Sequence, residues 1–264
     1  MIKTLLKALC FSNLWISFAA GINYYAYAKH FHGSADLLDG SLVFFSTLFL
    51  YNVQRIWLLP YPPTDDERHN WINKHLVLLK GLALTGFLVC LILTFTLQWS
   101  QILLGSILAL VSIAYSFIPG NKPLRALGLL KTVLVALVWA FVIFFFTPFD
   151  WIVNAALTNE FLRFVVLVYF LTLFFEFRDM DTDTEATLPK ILSRKQFLSV
   201  LIMLSIIVMG LDVINGQYTL LIIDGVLLPV LIWRNFIKPK AIFYSFVVDG
   251  FLVLNALSLL FEIS

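Results

Sequence analysis

Apolar residues fall along the chain in long blocks separated by polar or proline-containing breaks. A helix needs roughly 20 mostly apolar residues to cross a bilayer. Nine stretches qualify, near residues 8 to 28, 41 to 59, 76 to 97, 101 to 118, 130 to 147, 161 to 177, 196 to 213, 218 to 233 and 241 to 261. Pro60, Pro62 and Pro63 stop the second stretch, Pro119-Gly120 stops the fourth, and Lys238-Pro239-Lys240 separates the last two. The pattern predicts an all-α, multi-pass membrane helical bundle in a single integral membrane domain over residues 1–264, with no soluble domain.

Composition excludes the alternatives. Of the 264 residues, 61% are hydrophobic and 13% charged, against about 45–50% apolar in ordinary globular chains. Mean hydropathy is +0.92, so disorder, a coiled coil and a nucleic-acid-binding domain all fit poorly. The net charge of +2 matters less than its placement. Counting residues at stretch ends with the adjacent loop, all of the 18 Lys and Arg but Lys29 and Arg163 belong to the N-terminus or to the loops after the second, fourth, sixth and eighth stretches. By the positive-inside rule this predicts a cytoplasmic N-terminus and an external C-terminus, in what reads as a bacterial cytoplasmic membrane. A signal peptide over the first 28 residues is the alternative, but the run is long, aromatic and interrupted by Asn13 and Asn23. Cys10 and Cys90 sit in apolar stretches and form no disulfide framework.

Polar chemistry collects in the loops of residues 59 to 75 and 177 to 196, as in a membrane enzyme open to the cytoplasm or a transporter with a polar inward mouth. At the end of the sixth stretch Glu176, Asp179 and Asp183 are spaced i, i+3, i+7 and would share one helix face. Three carboxylates together repel unless a cation occupies them, and carboxylate oxygens suit Mg²⁺ held jointly with substrate phosphates. A solvated acidic loop is the plain alternative.

The segment Glu176-Phe177-Arg178-Asp179-x-x-x-Asp183, followed by Thr187-Leu188-Pro189, resembles the second aspartate-rich motif of the UbiA-type intramembrane prenyltransferase superfamily, with Glu in place of the first Asp. Tyr115, Lys131 and the segment 131–140 are also similar to that family. The resemblance implies a nine-helix fold with a Mg²⁺ cofactor on Glu176, Asp179 and Asp183. It further implies transfer of a prenyl group from an allylic prenyl diphosphate to a lipophilic, aromatic or quinone-precursor acceptor. Arg178, Lys122, Arg125, Lys131 and Tyr115 would then contact substrate, and Asp179, Asp183, Asn52 and Arg55 would carry catalysis. Neither nucleic acid nor an obligate protein partner is implied; membrane lipid is.

The first motif departs from the family. In the second stretch only Asn52 matches, with Ile56 and Pro60 where carboxylates belong. Arg55 shares a helix face with Asn52, and a guanidinium can grip a diphosphate bidentately without metal; a snorkelling interfacial arginine is the alternative. Asp65, Asp66 and Glu67 could fold back as substitute carboxylates or form a solvated cluster. A non-catalytic, lipid-binding relative of the family is therefore a competing expectation, ahead of a transporter. Asp224 and Asp249 lie inside the last two stretches, each followed by Gly, at a depth where antiparallel neighbours would pair them. Their glycines would allow close backbone approach. The four histidines fall on two sides of the membrane and form no single site. The 26 Phe, 9 Tyr and 7 Trp suit either an apolar tunnel or lipid-facing packing.

Overall fold

The computed structural model describes residues 2–33, 35–57, 67–118, 122–145, 155–181, 185–236 and 240–262, which are almost wholly helical and contain no β-strand. The helices are α1 (Ile2–Phe11), α2 (Leu14–His32), α3 (Leu37–Trp57), α4 (Glu67–Lys74), α5 (Leu76–Thr94), α6 (Trp99–Ser116), α7 (Leu129–Phe145), α8 (Ala155–Arg178), α9 (Leu188–Ile191), α10 (Arg194–Ile214), α11 (Tyr218–Asn235), α12 (Ala241–Phe243) and α13 (Asp249–Glu262). A π-helical turn, Tyr244–Val248, joins α12 to α13. Among the described residues a helix overlies each of the apolar stretches. Among the described residues five runs (α5, α6, α10, α11 and Ala241–Glu262) are long and apolar enough to cross a membrane, and α1 with α2 would make a sixth. α5 leaves Val77, Leu84, Leu88, Leu91 and Ile92 exposed, a continuous apolar surface that suits lipid better than water.

The chain packs as two compact units, Met1–Ser116 with Lys240–Leu257, and Phe117–Pro239 with Ser258–Ser264. In the first unit α3 packs between α2 and α5, and α6 also touches α3. Contact is close because glycines leave room for neighbouring backbone. A Cβ on Gly21 would lie 2.8 Å from the Gly40 carbonyl oxygen, and one on Gly86 would meet the Phe45 carbonyl oxygen at 2.9 Å and the Phe49 nitrogen at 3.0 Å.

The expected uninterrupted first helix is instead broken. α1 ends at Phe11, and its axis is bent by 66° from that of α2. Asn13 takes a left-handed conformation, φ 64°, which Asn tolerates better than most side chains. The break exposes backbone acceptors that an apolar bundle must satisfy, and Asn52 of α3 supplies the donor. Its amide donates to the carbonyls of Ser12 (3.1 Å) and Leu48 (2.8 Å), while its oxygen accepts from Asn13 Nδ2 at 3.1 Å. A second polar staple joins α2 to α13: Asn23 Nδ2 donates to the Leu252 carbonyl at 2.8 Å, and Asn255 Nδ2 donates to Asn23 Oδ1 at 3.0 Å.

In the second unit α8 packs against both α7 and α10, and α10 packs against α11. Phe164, Leu167, Phe170, Leu173 and Phe174 form the buried face of α8, at spacings of three and four that suit one helix face. The glycines beside the two intramembrane aspartates do not admit a neighbouring backbone as expected. A Cβ on Gly225 would face the Met209 methyl, and one on Gly250 the Trp15 ring. Gly86→Ala should destabilise the first unit by about 1–3 kcal/mol through forced separation of α5 from α3, whereas Gly81→Ala, which meets nothing within 4 Å, should be neutral or slightly stabilising. Thermal unfolding of both variants in detergent checks this.

Candidate functional site

The second motif emerges where α8 ends. Its helix stops at Arg178, so the expected helical face through Asp183 is not continued. Asp179 is the first residue beyond the helix, and Asp183 lies outside the described residues. The stop has a physical cause: Asp and Thr favour local side-chain-to-backbone bonds over helix interiors, and negative charge is unfavourable at a helix C-terminus.

Two ion pairs organise this end of the second unit. Lys131, in the first turn of α7, places Nζ 3.0 Å from Glu176 Oε1 in the last turn of α8, and both side chains are almost buried. Arg178 grips Asp179 with both arms of its fork, Nε to Oδ1 at 2.6 Å and Nη2 to Oδ2 at 2.7 Å. The guanidinium also lies over the Phe175 ring, 5.1 Å from its centre. Phe177 stacks on Phe197 of α10, and its ring meets Phe236 edge-on.

The segment after the motif comes back onto the start of α7. Gly128 has φ +60°, and a Cβ there would lie 2.8 Å from the Ala186 carbonyl oxygen. That contact seats the loop next to the turn Leu124–Ala126, which carries Arg125 and follows Lys122. Thr187 then precedes the short α9, with Pro189 in the first turn, a position where a missing N–H costs nothing. Lys131, Glu176, Arg178 and Asp179 are thus brought together, with Arg125 on an adjoining turn and Lys122 exposed beside it. The described carboxylates Glu176 and Asp179 each balance a cation, and among the described residues no three His, Cys, Asp or Glu side chains form a metal-holding group.

The remaining predicted residues belong to the first unit. Asn52 is fully buried and has both amide protons engaged at the α1–α2 break. Arg55, three residues on, is half-buried on α3, as is Tyr115 on α6. Asp65 and Asp66 lie outside the described residues, and Glu67 is ion-paired with Lys7 of α1.

A buried cluster at the other end of α8 escaped the sequence reading. Arg163 has no exposed surface; its Nε donates to Asp212 Oδ1 of α10 and its Nη2 to Asp224 Oδ2 of α11, the latter at 2.8 Å. One turn earlier, Glu160 accepts from Asn215 Nδ2. Arg163 looked like an outer-loop charge because the apolar run begins at 161, whereas the helix begins at Ala155 and carries Arg163 two turns inside. Within the second unit Asp224 bonds to Arg163, and Asp249 lies in the first unit. The signal lay in Asp212, an acid at the apolar end of the seventh stretch.

Comparison of the chain with protein-family models, curated proteins and solved structures finds no match in any of the three.

Breaking a nearly buried ion pair by removing one member leaves an uncompensated charge, a cost of about 3–5 kcal/mol. Lys131→Met should therefore lower stability by that order, and Lys131→Met combined with Glu176→Met should recover most of it. A double-mutant cycle by denaturant unfolding in detergent measures the coupling.

Proposed function

We propose that the chain is an integral membrane prenyltransferase of the UbiA type, crossing the bilayer nine times with the N-terminus and the Arg178 end of α8 at the cytoplasmic face. The observation that carries this reading is the convergence of Lys131, Glu176, Arg178 and Asp179, with the Thr187-Leu188-Pro189 loop seated on Gly128. Basic residues support the orientation: with Arg163 buried in ion pairs, only Lys29 remains as a basic residue on the opposite side.

Lys131 and Arg178 are the cations positioned to receive a diphosphate, Arg178 bidentately through its planar fork. Exchange of partners keeps charge balanced: as phosphate oxygens take Lys131 and Arg178, Glu176 and Asp179 are released. Those two carboxylates would hold Mg²⁺, which when bound neutralises the leaving diphosphate. Lys122 and Arg125 add positive charge on the neighbouring turn. The allylic C–O bond then breaks with its electron pair leaving on diphosphate, and the carbocation is captured by an electron-rich lipophilic acceptor that gives up a proton.

A second reading has its own support. Asn52, the sole match to the family's first motif, is occupied in pinning the α1–α2 break, and Ile56 stands where a carboxylate is expected. On that reading the protein binds the prenyl diphosphate without turning it over.

Prenyl diphosphate binding to purified protein, with and without Mg²⁺, distinguishes these outcomes. Binding should weaken at least tenfold in Asp179→Asn when Mg²⁺ is present, and also in Arg178→Lys, since an ammonium cannot reproduce the fork. Binding with release of diphosphate on adding an aromatic acceptor supports transfer, and binding without release supports the second reading. No binding by folded wild type overturns both.

A further inference from the structure

We propose that Asp212 and Asp224 share one proton, so that the cluster around Arg163 is a buried proton-binding site clasping α8, α10 and α11. Both carboxyls and the guanidinium have no exposed surface, and each carboxyl uses one oxygen on Arg163. The other oxygens, Asp212 Oδ2 and Asp224 Oδ1, are buried without a hydrogen-bond donor. Both carboxyls are drawn onto the same guanidinium, Asp212 at Nε and Asp224 at Nη2.

Carboxylate oxygens can only accept when ionised. Two ionised carboxylates on one guanidinium would leave a net negative charge in an apolar interior, where an unmatched charge costs several kcal/mol. Glu160 on the adjacent turn of α8 adds a further acid, held by Asn215. Lys131 is committed to Glu176 at the other end of α8, and Glu262 accepts from the Thr219 backbone N–H. One proton resolves both deficits. Bound to one aspartate and donated to the other, it supplies the missing donor and leaves a neutral triad with Arg163. The proton comes from water and returns to it, with no redox step.

The clasp then depends on pH. In the window where the folded pair keeps the proton and an unfolded chain gives it up, the folded state binds more protons, so stability falls as pH rises. Asn imitates a protonated Asp, accepting from Arg163 through its carbonyl oxygen and donating to the remaining carboxylate through its amide. Asp212→Asn and Asp224→Asn should therefore fold and lose the pH dependence. This inference is independent of the prenyl transfer reading and of its site.

Infrared spectroscopy of protein carrying ¹³C-carboxyl aspartate, in H₂O and D₂O, tests it. The expected result is a protonated-aspartate carbonyl band in wild type at neutral pH, deuterium-sensitive, absent from both single Asn variants and retained in Glu160→Gln. Thermal stability of wild type should fall from mildly acidic to alkaline pH, while that of Asp224→Asn stays flat. Absence of the band in wild type, or its survival in both Asn variants, overturns the proposal. If neither variant folds, wild type decides: band loss and stability loss along one pH course support the shared proton, and divergent courses overturn it.

Discussion

A charge inside so apolar a bundle must be matched by an opposite charge or by hydrogen bonds, and ion pairs organise much of the second unit. α8 carries an ion-paired group at each end, Glu176 with Lys131 and Arg163 with Asp212 and Asp224. Between them lies a face of Phe and Leu with no polar atom to direct its packing. Dispersion and burial hold such a face tightly but choose its partner loosely, since many apolar residues of similar volume would serve. The ion pairs supply the selection: an α8 slid by one turn would strand several buried charges at once. The proton site proposed at one end and the diphosphate site proposed at the other use the same helix for different chemistry.

In the first unit, amides and glycines do much of this work. Asn52 and Asn23 each take two backbone carbonyls, and Asn13 accepts a left-handed backbone so that the chain can bend between α1 and α2. Gly21 and Gly86 let neighbouring backbones approach to distances that a methyl group would block. Asn52 is thus a structural clamp, because its position on α3 serves the break whatever chemistry lies nearby.

Helix positions were legible because long apolar blocks and proline breaks are local signals. The bend at Asn13 was not, since it depends on a partner 39 residues away in sequence. At the candidate site, Glu176 and Asp179 could be read from spacing, and Arg178 and Lys131 from family resemblance alone. α8 ends at Arg178 because acids oppose the dipole at a helix C-terminus, and Asp183 lies outside the described residues. Arg163 was misplaced for a related reason: hydropathy windows exclude charged residues from span ends, so a charge buried by specific partners is read as solvated.

The two ion pairs at the Arg178 end of α8 are proposed as exchangeable partners for a diphosphate. An experimental structure of the protein with Mg²⁺ and a non-hydrolysable prenyl diphosphate analogue tests this most directly. Lys131 and Arg178 should be found turned from Glu176 and Asp179 onto phosphate oxygens, with the prenyl chain in the bundle. Both ion pairs intact, with the analogue bound elsewhere or not at all, would contradict it.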